Sequence, residues 1–222
     1  MANATTELLV VGLLVVLPVG AGQPKSGHAA QQAVPDVLVY VENSVLVPPL
    51  VLARAEATAA RMFAGIGLQV QWADRRLVRG AETSVTLCAP KRAEEIVVRM
   101  ASGRTRSASS EALAAALPYA RTGVRVSVFY GEFHEATRMQ PRMETAVLAH
   151  VLVHEIAHVL QGMERHSSTG VMRAHWTAGD YADMERRPLE FNGDDAELIH
   201  LGLQRRHSTA CAETASAFGV RE

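Results

Sequence analysis

Residues 146–160, AVLAHVLVHEIAHVL, constrain the fold more than any other stretch of the 222-residue chain. Every position is apolar except His150, His154, Glu155 and His158. A helix that is apolar around its whole circumference belongs in a protein interior. The flanking residues extend this one over 142–161, with Gly162 placed to turn the chain back in the left-handed conformation. A carboxylate inside such a helix is costly unless it is paired, hydrogen-bonded or beside a cation. The imidazoles need partners as well, and a metal ion meets all these demands together.

The spacing supports a metal. His154 and His158 are four residues apart, so they leave one helical face a turn apart. Two imidazole nitrogens placed in this way can reach a single zinc at about 2.0–2.1 Å. Glu155 follows the first histidine and completes the HExxH arrangement, in which the glutamate is the general base toward a water at the open coordination position. His150 lies one turn earlier, about 5.4 Å along the axis. It is expected to pack or hydrogen-bond behind the site rather than share the metal.

A catalytic zinc takes three protein ligands and a water. The helix runs on as HEIAHVLQGMERH and then SSTGVMRAHW. This resembles the metzincin clan of zinc peptidases, whose pattern is HExxHxxGxxH followed by a methionine-containing turn beneath the metal. The resemblance is close over residues 142–176 and looser upstream. The glycine falls one residue late and the final histidine two, giving HExxHxxxGxxxH, a form similar to poorly characterised bacterial metzincin-like proteins. It implies Zn2+ as cofactor, Glu155 as catalytic base, His166 as third ligand, Met172 as the turn methionine and Gly162 as support for the turn. Two alternatives stand beside His166: Glu164, where the unshifted pattern ends, and a later glutamate, Glu185, Glu190 or Glu197. No tyrosine matches the family's oxyanion-stabilising position; His175 and Trp176 hold the nearest aromatic slots, and Tyr181 lies further on.

Elsewhere the pattern predicts an α+β, zincin-like fold: a twisted mixed sheet with a backing helix, the buried HExxH helix, a Met-turn and a C-terminal helix. Residues 37–41 (VLVYV), 68–72 and 85–88 read as strands. Pro48 and Pro49 open a helix reaching Ala64, with Leu50, Ala53, Ala57, Ala60 and Ala64 on one face and Gly65 and Gly67 at its end. Residues 91–100 and 111–117 read as helices around a Ser/Arg/Gly-rich loop over 101–110. Residues 124–130 (VRVSVFY) alternate as a half-exposed strand, with Arg125, Ser127 and Phe129 on the side opposite the valines. In the clan the strand before the metal helix is an edge strand that pairs with an extended substrate. Asp194 or Asp195 is the expected cap of a closing helix over 196–204.

The single domain spans residues 36–207, between a 23–35 linker and a flexible 208–222 tail. Residues 8–17 form an apolar run too short to cross a bilayer, followed by small residues, so residues 1–22 read as a signal peptide; the absence of Lys and Arg before the run leaves an uncleaved anchor as the alternative. Cys88 and Cys211 are either one disulfide or two unrelated thiols. A net charge of -1 offers no electrostatic footprint for nucleic acid. The expected function is a secreted zinc-dependent metallopeptidase acting on a peptide or protein, without a stable membrane span after processing. A zinc amidase acting on a non-protein amide and a non-catalytic zinc-binding module are the alternatives.

Overall fold

Val37, Val39 and Val41 alternate with half-exposed neighbours, and this period of two makes β1 (Val37–Asn43) with one face buried. The computed structural model describes residues 35–74, 93–104, 112–137 and 140–217. The expected signal peptide, most of the linker, the 85–88 strand and Cys88 lie outside them. β1 pairs in parallel with β2 (Val70–Asp74) on one side and β3 (Glu94–Met100) on the other. β3 pairs in parallel with β5 (Val124–Val128), and the short β4 (Ala114–Ala116) runs antiparallel along β5 at the sheet edge. The result is a five-stranded mixed sheet in the order β2-β1-β3-β5-β4, with five helices among the described residues, an α+β architecture.

Two segments expected as helices are strands. Over 91–100 the local composition favours a helix, yet Ile96, Val98 and Met100 are buried at every second position and the segment pairs with both β1 and β5. Over 111–117 the alanines are good helix formers, but Ala114–Ala116 are drawn into pairing with Val126–Val128. Long-range pairing outweighs intrinsic propensities of a few tenths of a kcal/mol, about 0.7 at most for ordinary residues. β5 is therefore interior rather than an edge, and it stops at Val128 because Tyr130 opens α2 (Tyr130–Thr137). Arg125 is also not on an exposed side. The register shift between Val97 and Val98 leaves it as the extra residue of a bulge, where it is buried and ion-paired to Glu94.

α1 (Pro49–Ala64) starts and ends where the prolines and glycines place it, but it buries Ala55, Ala59, Met62 and Phe63. Leu50, assigned to the opposite, alanine-rich face, is 61% exposed. Fully burying a Met or Phe side chain contributes about 1.5–3 kcal/mol each, which decides the rotation against a stripe of methyl groups.

α1 packs against β2 and against α3 (Pro141–Gln161), which in turn rests on β4 and β5. α3 begins with proline in its first turn and ends at Gly162, whose φ of 69° is the left-handed cap that glycine supplies. It is apolar and long enough to cross a membrane, but 78% of its apolar window is buried, so it is the core helix of this fold. α4 (Ala178–Arg186) is held by a Thr177–Asp180 capping box. α5 (Gly193–Ala217) runs well past residue 204, and its first turn is capped by Asn192, whose side-chain oxygen accepts from the Asp195 amide at 2.8 Å. α5 crosses α3 so closely that a Cβ at Gly202 would stand 1.9 Å from the Leu160 carbonyl oxygen.

Candidate metal centre

α3 delivers His154 and His158 from the same face, with ring centroids 4.7 Å apart. Each ring is fixed through Nδ1. His154 Nδ1 lies 2.8 Å from the Val171 carbonyl, and His158 Nδ1 lies 3.1 Å from the Met163 carbonyl. A carbonyl only accepts, so each Nδ1 carries the proton and each Nε2 is left with a lone pair. The two Nε2 atoms face one another at 3.1 Å. Burial pulls His154 down to about 4 and His158 to about 3, the latter further lowered by His154 and His166, so neither ring supplies a proton to the other near neutrality. Two lone pairs held so close repel unless a cation lies between them. Two nitrogens about 2.0–2.1 Å from one tetrahedral zinc are themselves about 3.3 Å apart, so the pair fits such an ion.

His166 completes the group. Its ring centroid is 5.2 Å from that of His154 and 4.9 Å from that of His158, and one ligand atom from each of the three lies within 4.8 Å of the others. His166 is exposed, and what burial it has, with the charge of His175, lowers its pKa. Among the described residues no carboxylate joins a group of this kind: Glu164, Glu185, Glu190 and Glu197 all lie outside it. His175 lies outside it as well.

The loop that carries His166 is pinned on both sides by one buried acid. Asp195, fully buried in the first turn of α5, accepts from Ser167 Oγ at 2.6 Å and from Arg165 Nη1 at 2.7 Å. The following turn closes on itself through Ser167 N–H to the Met172 carbonyl at 2.8 Å. Gly170 makes this closure feasible: its φ is 74°, and a Cβ there would stand 2.3 Å from the Glu190 carbonyl oxygen. Met172 is fully buried in this turn. The neighbouring Val171 carbonyl, besides holding His154, accepts from Trp176 Nε1 at 3.3 Å, and the Trp176 ring stands edge-on to His154.

His150 is where the sequence places it, behind the site. Its Nε2 accepts from the Leu189 amide at 2.9 Å, so Nδ1 holds the proton and donates to the Ala146 carbonyl at 2.7 Å. Both nitrogens are committed, and the ring has nothing left for a metal.

Glu155 projects toward β4 and accepts a hydrogen bond from the Ala116 amide. Burial pushes its carboxyl up to about 7, and that hydrogen bond opposes the rise. On the β5 side, Leu117 N–H donates to Arg125 and Phe129 N–H donates to Leu113. The alternation of an antiparallel ladder therefore turns the backbone of Ala114 and Ala116 outward. That edge, with His154, Glu155, His166 and Trp176, lines a cleft of 560 Å³.

The hold of Asp195 on the His166 loop, the Trp176 contact and the Ala116 contact to Glu155 have no sequence signal of their own, and the cap expected of Asp194 or Asp195 is supplied by Asn192. Asp195 was visible only as an acid near a helix start, and nothing local separates it from Asp194. No protein-family model matches the chain, and neither a curated protein nor a solved structure matches it significantly.

Proposed function

We propose that this chain is an exported, zinc-dependent metallopeptidase of metzincin-like, zincin type. The observation that carries the reading is the convergence of two backbone-anchored imidazoles with opposed lone pairs, joined by His166 and next to Glu155. His154, His158 and His166 would hold a zinc ion, which would supply Lewis acidity and make a water more acidic. Val171 and Met163 fix the tautomers that keep both Nε2 atoms available. Glu155 stands beside the cleft to take a proton from the attacking water and return it to the leaving amine. The outward-facing Ala114 backbone is suited to an extended peptide laid along the β4 edge, which would bring its carbonyls past Glu155. Strand addition of this kind favours a peptide over an isolated amide.

Elemental analysis of the purified protein, with turnover of an unfolded-protein substrate, tests the reading. Glu155→Gln is expected to keep one zinc per chain and to lose about 10²–10⁴-fold in turnover. Unchanged turnover in that variant rules the mechanism out. Cleavage of a non-protein amide with peptides refused transfers the same chemistry to an amidase.

A further inference from the structure

Two backbone positions face outward along β4, Ala114 and Ala116, and the fold uses them differently. Among the described residues no strand lies beyond β4 in the sheet. Ala112, Leu113 and Ala114 line the metal cleft together with Glu155. Ala116 is not part of that lining: its N–H donates to the Glu155 carboxylate. The proposed general base is therefore tied to the same strand edge that suits a peptide.

Outward positions on an antiparallel ladder recur every second residue, about 6.8 Å apart, and each exchanges N–H and C=O with its partner strand. A peptide laid against both positions presents a carbonyl to the Ala116 N–H. One N–H cannot serve two acceptors at full strength, so that carbonyl competes with Glu155. The existing bond has a charged acceptor and is the stronger kind, which a lone amide does not displace. An extended chain gains the Ala114 bonds at the same time. Binding energy from parts of a substrate remote from the reacting atoms can be spent on assembling the site. The released carboxylate belongs to a half-buried side chain that already lines the cleft.

We propose that the Ala116 N–H is a latch on Glu155, and that an extended polypeptide pairing with β4 takes this N–H and turns the carboxylate to the cleft. The inference rests on the peptidase reading of Glu155. It makes unfolded polypeptide, rather than a short amide, the substrate class.

The test compares a decapeptide spanning a cleavage site mapped in unfolded casein with the blocked dipeptide from its centre, on the full zinc-loaded chain. The dipeptide kcat is expected to be about 10²-fold lower. Ala116→Pro removes an N–H that faces away from β5, a place where an edge strand tolerates proline. It is expected to raise the dipeptide kcat about tenfold and to raise the decapeptide KM. Equal kcat for the two lengths, or a folded Ala116→Pro chain with no gain on the dipeptide, overturns the latch and leaves the peptidase reading standing. A readout without turnover uses the zinc-loaded Glu155→Gln chain labelled with 15N-alanine, whose glutamine oxygen still accepts from Ala116. Its Ala116 amide resonance is expected to shift saturably with the decapeptide and not with the dipeptide. An Ala116 resonance unmoved by saturating decapeptide overturns the proposal whether or not Ala116→Pro folds. No cleavage of casein at all removes the peptidase reading, and the latch with it.

Discussion

α3 carries two buried polar clusters, one toward each end, and they are built on opposite principles. Near its start, Glu144 accepts from the Tyr130 hydroxyl and pairs with His134 Nδ1 at 2.5 Å, with the Tyr130 and His134 rings stacked. Donors and acceptor match, so the cluster is complete; burial and the neighbouring carboxylate raise the Tyr130 pKa and keep the phenol as a donor. About three to four turns further on, His154 and His158 have spent their protons on backbone carbonyls and turn two lone pairs toward each other. Nothing among the described residues satisfies them. A closed cluster fastens α2 to α3; the open one sets three nitrogens close enough together to hold a metal ion.

The largest effect expected from this contrast follows removal of a ligand. His154→Ala or His158→Ala is expected to abolish stoichiometric zinc and to reduce hydrolysis by more than about 10²-fold, beyond the 10–100-fold cost of losing a residue that only orients a ligand. Zinc content and turnover check this, and full retention of both removes the distinction between the clusters. Asp195→Ala comes next, because it frees Arg165 and Ser167 on either side of His166. Zinc affinity is expected to fall about tenfold in chelator competition, while an unchanged affinity shows that the loop holds His166 without this anchor.

Glu144→Gln tests the closed cluster. It is expected to cost about 1–3 kcal/mol in denaturant unfolding, with zinc content unaltered; loss of zinc in this variant would couple the two ends of the helix. The smallest effect concerns Glu56, which belongs to neither cluster. Burial, with the charge of Asp74, raises its carboxyl to about 7. The folded state thus holds that proton more tightly than the unfolded state does, and stability present at low pH is lost as pH rises through about 7. Glu56→Gln is expected to raise Tm at pH 8 and leave it unchanged at pH 4. The opposite order would contradict this sign.

What could be read without coordinates was the chemistry concentrated in one helix and the short loop after it. The extent of α3, the cap at Gly162, the approach of His166 and the displacement of His150 all follow from residues within a few turns of one another. Features decided by distant pairing were illegible. The alanines of β4 and the mixed composition of β3 look helical until β5 and β1 lie beside them. Arg125 looks solvent-facing until a bulge turns it toward Glu94. The sheet edge is β4, one strand earlier than the sequence pattern places it, for the same reason. Asp195 is joined to Ser167 only through the fold, so its hold on the His166 loop left no local trace.

The most direct measurement is anomalous diffraction at the zinc absorption edge from crystals of the protein purified without added chelator. The expected result is one peak bonded to Nε2 of His154, Nε2 of His158 and a nitrogen of His166, with Glu155 beside it and unbonded. A folded molecule with no metal peak between those rings, or with a carboxylate in place of His166, contradicts it.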